Sequence, residues 1–233
     1  MTQKILIIGA GITGVSIAET LRRSGQSVTL VDRVNPGDPA QTSYGNAGLL
    51  ARAGVGPVAD PSILMEMPRI LLDPNSPIKL RWSYLLRMMP WALSMLRNGM
   101  QDRAKKIVPA MNELLYDTVE QHLNLAKGTP AEQYLKLTGV TSIFRNKEAF
   151  LSDTFINEAK KAVGIEWVEY DRKALAERDP HLSEAYTFGV EYAGQGWLTD
   201  PSAYVAALAR HFTDNGGKFL THVVTEIGTD HVT

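Results

Sequence analysis

Apolar positions along this chain change their period several times, and each change marks an element. Ile5-Leu6-Ile7-Ile8 is an unbroken apolar run with β-branched residues, the pattern of a short strand buried on both faces. From Thr13 to Arg23 the residues favour a helix, with Ile17 and Leu21 one turn apart, and Ser24-Gly25 closes it. Val28 to Val31 reads as a second strand ending on Asp32. Arg33 to Gly56 then loses all periodicity and is rich in Gly, Pro, Asn and Ser, which predicts a long loop without regular structure.

Five prolines between Pro57 and Pro77 predict coil around one short helix, Ile63 to Leu72. Ile78 to Lys127 has helical character, with breaks expected near Pro90, Asn98-Gly99 and Pro109. Gly139 to Phe144 reads as a strand, Lys147 to Val163 as a helix, and Glu166 to Tyr170 as a strand. A helix from Arg172 to about Glu177 and a strand from Tyr186 to Tyr192 follow. Asp200 and Pro201 suit the N-cap and first position of a helix over Ser202 to Asn215, which Gly216-Gly217 stops. Lys218 to Leu220 and Val223 to Ile227 read as closing strands.

The first three elements enclose Gly9, Gly11 and Gly14, spaced G-x-G-x-x-G. Gly9 suits a tight turn, Gly11 lets backbone approach a pyrophosphate, and Gly14 lets the helix pack close to the strand. The helix N-terminus, at Ile12 and Thr13, offers unpaired N–H groups and a partial positive charge to phosphates. Asp32 lies 18 residues past Gly14, close to the spacing of an acid that accepts from ribose hydroxyls. The whole unit predicts a dinucleotide site. The segment Thr42 to Leu50 adds small residues around Asn46 and Gly48, which let backbone press on a flat ligand.

Composition narrows the function further. The 233 residues are enough for one large domain or two small ones, and the formal net charge of −1 gives no general attraction to nucleic acid. Cysteine is absent, which removes disulfides, thiolate metal sites and cysteine nucleophiles, and suits a cytoplasmic setting. The uncharged run from Ile5 to Ala18 is too short to span a bilayer. His122, His181, His211, His222 and His231 form no metal-binding spacing, so no metal is expected. No nucleophile–base motif appears, and no catalytic residue is assigned; Tyr44 and Arg52 follow the cofactor-side loop, where two roles are open, facing a substrate or supporting the structure, the second being favoured. Trp197 reads as a core aromatic. Charge is nevertheless segregated. Between Lys79 and Lys106 stand seven basic residues and one acid, Asp102, among methionines, Trp82 and Trp91. Such a stretch either covers a domain with snorkelling stems, the reading favoured here, or makes peripheral contact with a membrane.

The glycine unit with Asp32, followed by P-A-Q-T-S-Y-G-N-A-G from Pro39 to Gly48, resembles the D-amino-acid oxidase superfamily of FAD enzymes, most of all the bacterial D-amino-acid dehydrogenase type. The resemblance implies an α/β fold: a Rossmann-like FAD-binding βαβ unit (residues 1–56 and 196–233) with an inserted α+β substrate domain (57–195). It places Arg33 near the adenosine, Thr42, Ser43, Asn46, Ala47, Gly48 and Leu49 along the pyrophosphate, ribityl chain or flavin ring, and Val224 at the adenine end. Tyr44-Gly45 stand where the family usually has small residues.

The implied reaction is oxidative deamination of a D-amino acid or related amine, with hydride passing from the α-carbon to flavin N5 and the imine hydrolysing to a 2-oxo acid and ammonia. The implied electron acceptor is a quinone or the respiratory chain, at the inner face of the cell membrane. The resemblance covers the family's N-terminal portion, so an incomplete chain is expected; family members carry the flavin-contacting glycine-rich segment and the carboxylate-holding arginine further on. Two alternatives remain: a non-catalytic remnant that binds nucleotide or a partner chain, and an NAD-dependent dehydrogenase, against which the T-S-Y-G-N-A-G loop argues.

Overall fold

A computed structural model describes residues 3–57, 59, 61–76, 79, 81–229 and 232–233. The expected helical start at Ile78 and the histidine at position 231 lie outside the described residues. The chain forms two compact units: Met1–Leu50, Thr118–Thr138 and Gln195–Thr233 make the first, and Ala51–Asp117 with Gly139–Gly194 the second.

In the first unit, β1 (Lys4–Ile8), α1 (Ile12–Arg23) and β2 (Ser27–Asp32) form the expected parallel βαβ unit, with Ile5 opposite Val28 and Ile8 opposite Val31. Gly25, at φ +84°, ends α1: its N–H donates to the Arg22 carbonyl and that of Gln26 to the Leu21 carbonyl. Strand β1 departs from its expected burial on both faces. Leu6 and Ile8 remain 43% and 46% exposed: they share one face of the strand, and among the described residues that face is uncovered, whereas Ile5 and Ile7 on the other face are half-buried. The loop after β2 carries one short piece of regular structure, β3 (Leu49–Leu50).

The second unit begins with α2 (Pro61–Leu72), α3 (Leu85–Gly99) and α4 (Gln101–Leu115). The break at Asn98-Gly99 occurs, but those at Pro90 and Pro109 do not: both prolines lie inside continuous helices. Each proline, and the residue four positions before it whose carbonyl loses its partner (Leu86, Lys105), is on the exposed side, where water can satisfy that carbonyl. The chain then re-enters the first unit as α5 (Thr118–Ala126) and β4 (Leu135–Lys136).

Back in the second unit come β5 (Thr141–Phe144), α6 (Lys147–Leu151), α7 (Thr154–Ala162), β6 (Trp167–Asp171), α8 (Arg172–Arg178) and β7 (Phe188–Tyr192). The single helix expected from Lys147 to Val163 is two; at the break the Phe150 carbonyl accepts the Asn157 side-chain amide at 2.7 Å and the Asp153 N–H at 3.4 Å. Strands β5, β7 and β6 form an antiparallel sheet in that order. One face is aromatic: Phe150 packs edge-on against Phe144 and Trp167, and Trp167 against Tyr192.

The chain returns through β8 (Gly196–Leu198), paired with both β3 and β4, then α9 (Pro201–Asp214) and β9 (Lys218–Thr221). The carboxylate of Asp200 caps α9 by accepting from the Ala203 N–H at 2.9 Å. Strand β9 joins β2 in parallel. The strand expected from Val223 to Ile227 does not form. His222 still donates to the Asp32 carbonyl, but residues 222–226 are irregular, and Thr225 and Glu226 donate instead to Thr233. Beneath this sheet Val15, Leu30, Tyr204, Val205, Leu208 and Phe212 form the first unit's core.

Candidate functional site: the glycine turn and its cleft

The turn between β1 and α1 is shaped by what its glycines lack. Gly9 has φ +103°, a region that side chains disfavour, and its N–H donates to the Val31 carbonyl at 2.7 Å. A Cβ on Gly14 would stand 1.7 Å from the Gly9 carbonyl oxygen. Only a hydrogen allows α1 to start this close to the strand end. A Cβ on Gly11 would meet Ser43 Oγ at 3.1 Å.

Ser43 explains that contact. Its hydroxyl oxygen accepts the Ile12 N–H at 2.9 Å, capping α1 from a loop 31 residues away. The N–H groups of Thr13 and Gly14 belong to the same first turn, where no intrahelical acceptor exists. No acidic side chain sits in that turn, so the helix end keeps its partial positive charge.

Asp32 ends β2 beside this turn. Its Oδ2 accepts the Ala10 N–H at 2.7 Å and the Gln41 side-chain amide at 3.0 Å, and Oδ1 accepts the Val34 N–H at 3.3 Å. Burial pushes its pKa up, but these hydrogen bonds outweigh it and hold the carboxyl below its usual range. A carboxylate has about four acceptor positions, so this one retains capacity for a ligand hydroxyl.

A cleft of about 430 Å³ opens here, lined by Gly9, Gly11, Ile12, Thr13, Gly14, Thr42, Ser43 and Asn46, with Ile7, Ile8 and Ile17 on its apolar side. Eight residues proposed from the sequence therefore meet in one cavity. Asn46 holds the loop in place: its Oδ1 accepts the Gly48 N–H at 2.7 Å. The other sequence-derived residues lie apart from the lining. Arg33 and Ala47 are exposed, and Leu49 pairs with Trp197 across β3 and β8. Gly48, at φ +65°, lies against the Leu198 carbonyl and Pro201, and Val224 is half-buried in the irregular segment after β9. Sequence reasoning missed Gln41, which links Asp32 to the Gly37 N–H; its only signal was its place beside Thr42-Ser43.

A second hollow of about 320 Å³ lies between α1 and α5, lined mainly by Ile17, Leu21 and Leu125. Its titratable group, His122, hydrogen-bonds the Tyr204 hydroxyl at 3.0 Å. Burial depresses the His122 pKa and raises that of Tyr204 to about 12, so both stay neutral near pH 7. This hollow lacks the amide donors of the glycine cleft.

The donor set fits a dinucleotide such as FAD: two first-turn amides with a helix dipole for the pyrophosphate, and a partly occupied carboxylate for a ribose. Comparisons with known proteins agree. A D-amino-acid oxidase of Bradyrhizobium diazoefficiens is 38% identical over 217 residues, 93% of this chain and 51% of that protein. D-amino acid dehydrogenase 2 of Ralstonia nicotianae is 30% identical over 78% of this chain and 43% of its own length. Glycine oxidase from Bacillus cereus has a similar fold over the whole chain and half of its own, with TM-score 0.57 at 18% identity. The chain thus spans about half the length of the relatives it matches. The model of the DAO family, described as FAD dependent oxidoreductase, matches residues 4–233, and the chain belongs to that family.

Proposed function

We propose that this chain carries the FAD-binding part of an oxidoreductase that deaminates D-amino acids. The carrying observation is the glycine cleft, in which the bare first turn of α1, Ser43 and the Asp32 carboxylate are held together. The first-turn amides of Thr13 and Gly14 would bind the pyrophosphate, Asp32 would orient the ribose, and the Thr42–Leu49 loop would carry the cofactor towards its flavin end. Bound FAD supplies the two-electron acceptor for the substrate's α C–H bond, and the imine product hydrolyses to a 2-oxo acid and ammonia. The sequence puts residues 1–56 and 196–233 with the cofactor and 57–195 with the substrate; in this reading the first unit serves the cofactor and the second the substrate, so 118–138 go with the cofactor.

Family membership favours FAD over NAD. The test is the visible spectrum of the purified protein mixed with FAD, before and after anaerobic D-alanine. Bound flavin that bleaches supports the reading. Bound flavin that never bleaches with any D-amino acid favours the non-catalytic remnant, and absence of flavin binding rejects the proposed function.

A specific surface favours a membrane-side electron acceptor over a freely diffusing one. The inward row of α3 (Leu85, Met88, Met89, Ala92 and Met95) is half-buried, as covering helices require. The outward side is also apolar. Met65 and Leu72 of α2 and Leu86 of α3 are 84%, 81% and 86% exposed, and Trp91, Leu93, Arg87 and Arg97 of α3 and Arg81 are exposed too. Among the described residues no helix is long and apolar enough to cross a membrane. Exposed apolar side chains on helices that also expose arginines suit the face of an anionic bilayer, where a quinone would be reached. Salt-reversible pelleting with phosphatidylglycerol vesicles, reduced in Leu86→Glu, is the expected result. Pelleting that is equal with neutral vesicles, or absent, removes this part of the reading.

A further inference from the structure

Gln41 lies outside the lining of the cofactor cleft, yet it is bonded to the acid that would hold the ribose. Its side-chain amide donates to Asp32 Oδ2 at 3.0 Å, and its Oε1 accepts the Gly37 N–H at 2.9 Å. The Gly37 carbonyl accepts the hydroxyl of Ser202, on the first turn of α9, at 2.6 Å. A Cβ on Gly37 would stand 2.7 Å from the Ser202 carbonyl oxygen, so the loop and α9 meet where only a glycine fits. Hydrogen bonds therefore run from the end of β2 through Gln41 and Gly37 to a residue 165 positions after Gly37, all within the first unit.

These bonds decide which oxygen of Asp32 is open. Oδ2 accepts both the Ala10 N–H and the Gln41 amide, which use its two lone pairs, whereas Oδ1 accepts the Val34 N–H at a longer 3.3 Å. Room for a ligand hydroxyl is left on Oδ1. The terminal torsion of an aspartate is broad, and the Gln41 amide, itself tied to Gly37, narrows it. The same bond favours the ionised carboxyl, which burial opposes.

We propose that Gln41 is a positioning residue for cofactor binding: it turns Asp32 so that Oδ1 receives the ribose hydroxyl, and Gly37 and Ser202 brace it from α9. This rests on the reading above of Asp32 as the ribose acid. Gln41 also opens the Thr42–Leu49 loop, so the competing role is to shape that loop towards the flavin end, without Asp32.

The test titrates the unaltered chain, Gln41→Leu, Asp32→Ala and the double variant with FAD and with ADP, which carries the ribose and pyrophosphate but no flavin. Gln41→Leu should weaken both ligands about tenfold, the loss of one hydrogen bond to a charged group. In the Asp32→Ala background the same change should cost nothing further, because Gln41 acts through that carboxylate. Ser202→Ala should weaken both ligands in the same direction and to a smaller extent. Gln41→Glu keeps the shape and the acceptor for Gly37 but sets two carboxyls where amide and carboxylate now stand 3.0 Å apart. Such a pair shares one proton, held with a raised pKa. The FAD affinity of Gln41→Glu should therefore be near that of the unaltered chain at about pH 5 and fall as pH rises to about 8, while the unaltered chain stays level. His222, whose backbone N–H reaches the Asp32 carbonyl, is common to every variant, so a response confined to Gln41→Glu belongs to the new pair. Equal losses from Gln41→Leu with and without Asp32, a loss for FAD but not for ADP, or a level pH profile in Gln41→Glu would each overturn the proposal. ADP binding that depends on Gln41, in a chain that never takes up FAD, would reject the FAD reading and keep the ribose site, and no binding of either ligand by the unaltered chain would overturn both.

Discussion

At the scale of single residues the glycine turn is governed by the room that absent side chains leave. Gly14 is the sharpest case, since its missing Cβ would overlap the Gly9 carbonyl. Gly14→Ala must push α1 off the strand end, and about 3 kcal/mol of stability should be lost, the upper part of the usual cost of overpacking. Thermal or urea unfolding measures it, and FAD affinity should fall in parallel because the amides move with the helix. An unshifted melting curve would mean that the turn has slack. Gly14 was legible from sequence because the spacing of the three glycines encodes a local geometry. Ser43 was legible only as a neighbour of the cofactor: its capping of Ile12 joins residues 31 apart, and no local pattern announces such a bond. Arg33, Ala47, Leu49 and Val224 show the converse. Position relative to a motif proposed them, and they lie outside the lining of the cleft, whose side chains are chosen by how the loop folds back.

Among elements, the decisive bonds were likewise those formed at a distance. Helix-breaking residues predicted stops at Pro90 and Pro109, but a proline on a solvent-facing row leaves its unpaired carbonyl to water, and α3 and α4 continue. The stop at Asn98-Gly99 does occur, and a further one that no helix breaker announced, between α6 and α7, has the Asn157 amide on the Phe150 carbonyl. Helix α1 is fastened in a way the sequence shows only as an ordinary acid. Glu19 is fully buried and accepts from Arg22 at 2.8 Å and Arg23 at 2.6 Å, with His211 of α9 3.4 Å away. Arg23 in turn donates to the Asn124 and Leu125 carbonyls near the end of α5, and Arg22 to that of Asn215 just past α9. Burial alone would raise the Glu19 pKa; the arginines more than cancel it, and the net shift is downward. Its contribution is therefore complete above the unfolded value of about 4.3 and is lost as pH falls through the lower folded value. Glu19→Gln should cost about 3 kcal/mol at neutral pH, because two arginines lose their counter-charge. It should also flatten the acid limb of the stability curve below about pH 4.3. Urea midpoints at pH 7 and pH 3.5 check both. Equal destabilisation at the two pH values would show that packing, not charge, is what Glu19 supplies.

For the molecule as a whole, the βαβ start and the three strands of the second unit were readable, since both rest on short local patterns, whereas the antiparallel pairing of those strands was not. The return of Thr118–Thr138 to the first unit was not, because β4 is two residues long and finds its partner β8 some sixty positions later. The burial of β1 shows the same limit most clearly. Its apolar run has the composition of a strand covered on both faces, yet among the described residues it pairs only with β2, and Leu6, Ile8 and Ile17 stay exposed on and beside it. An unpaired edge next to apolar side chains is a template for further strand pairing. The 233-residue chain on its own should therefore self-associate, with a light-scattering mass that climbs above 25.6 kDa as concentration rises. Leu6→Lys puts a charge on that edge strand without entering the lining of the cofactor cleft, and should return the chain towards monomer while sparing FAD affinity. If association persists in Leu6→Lys but vanishes in Leu86→Glu, the sticky surface is α3 in the second unit and not the open sheet. A chain that stays monomeric throughout would show that the β1 edge is protected by its own geometry.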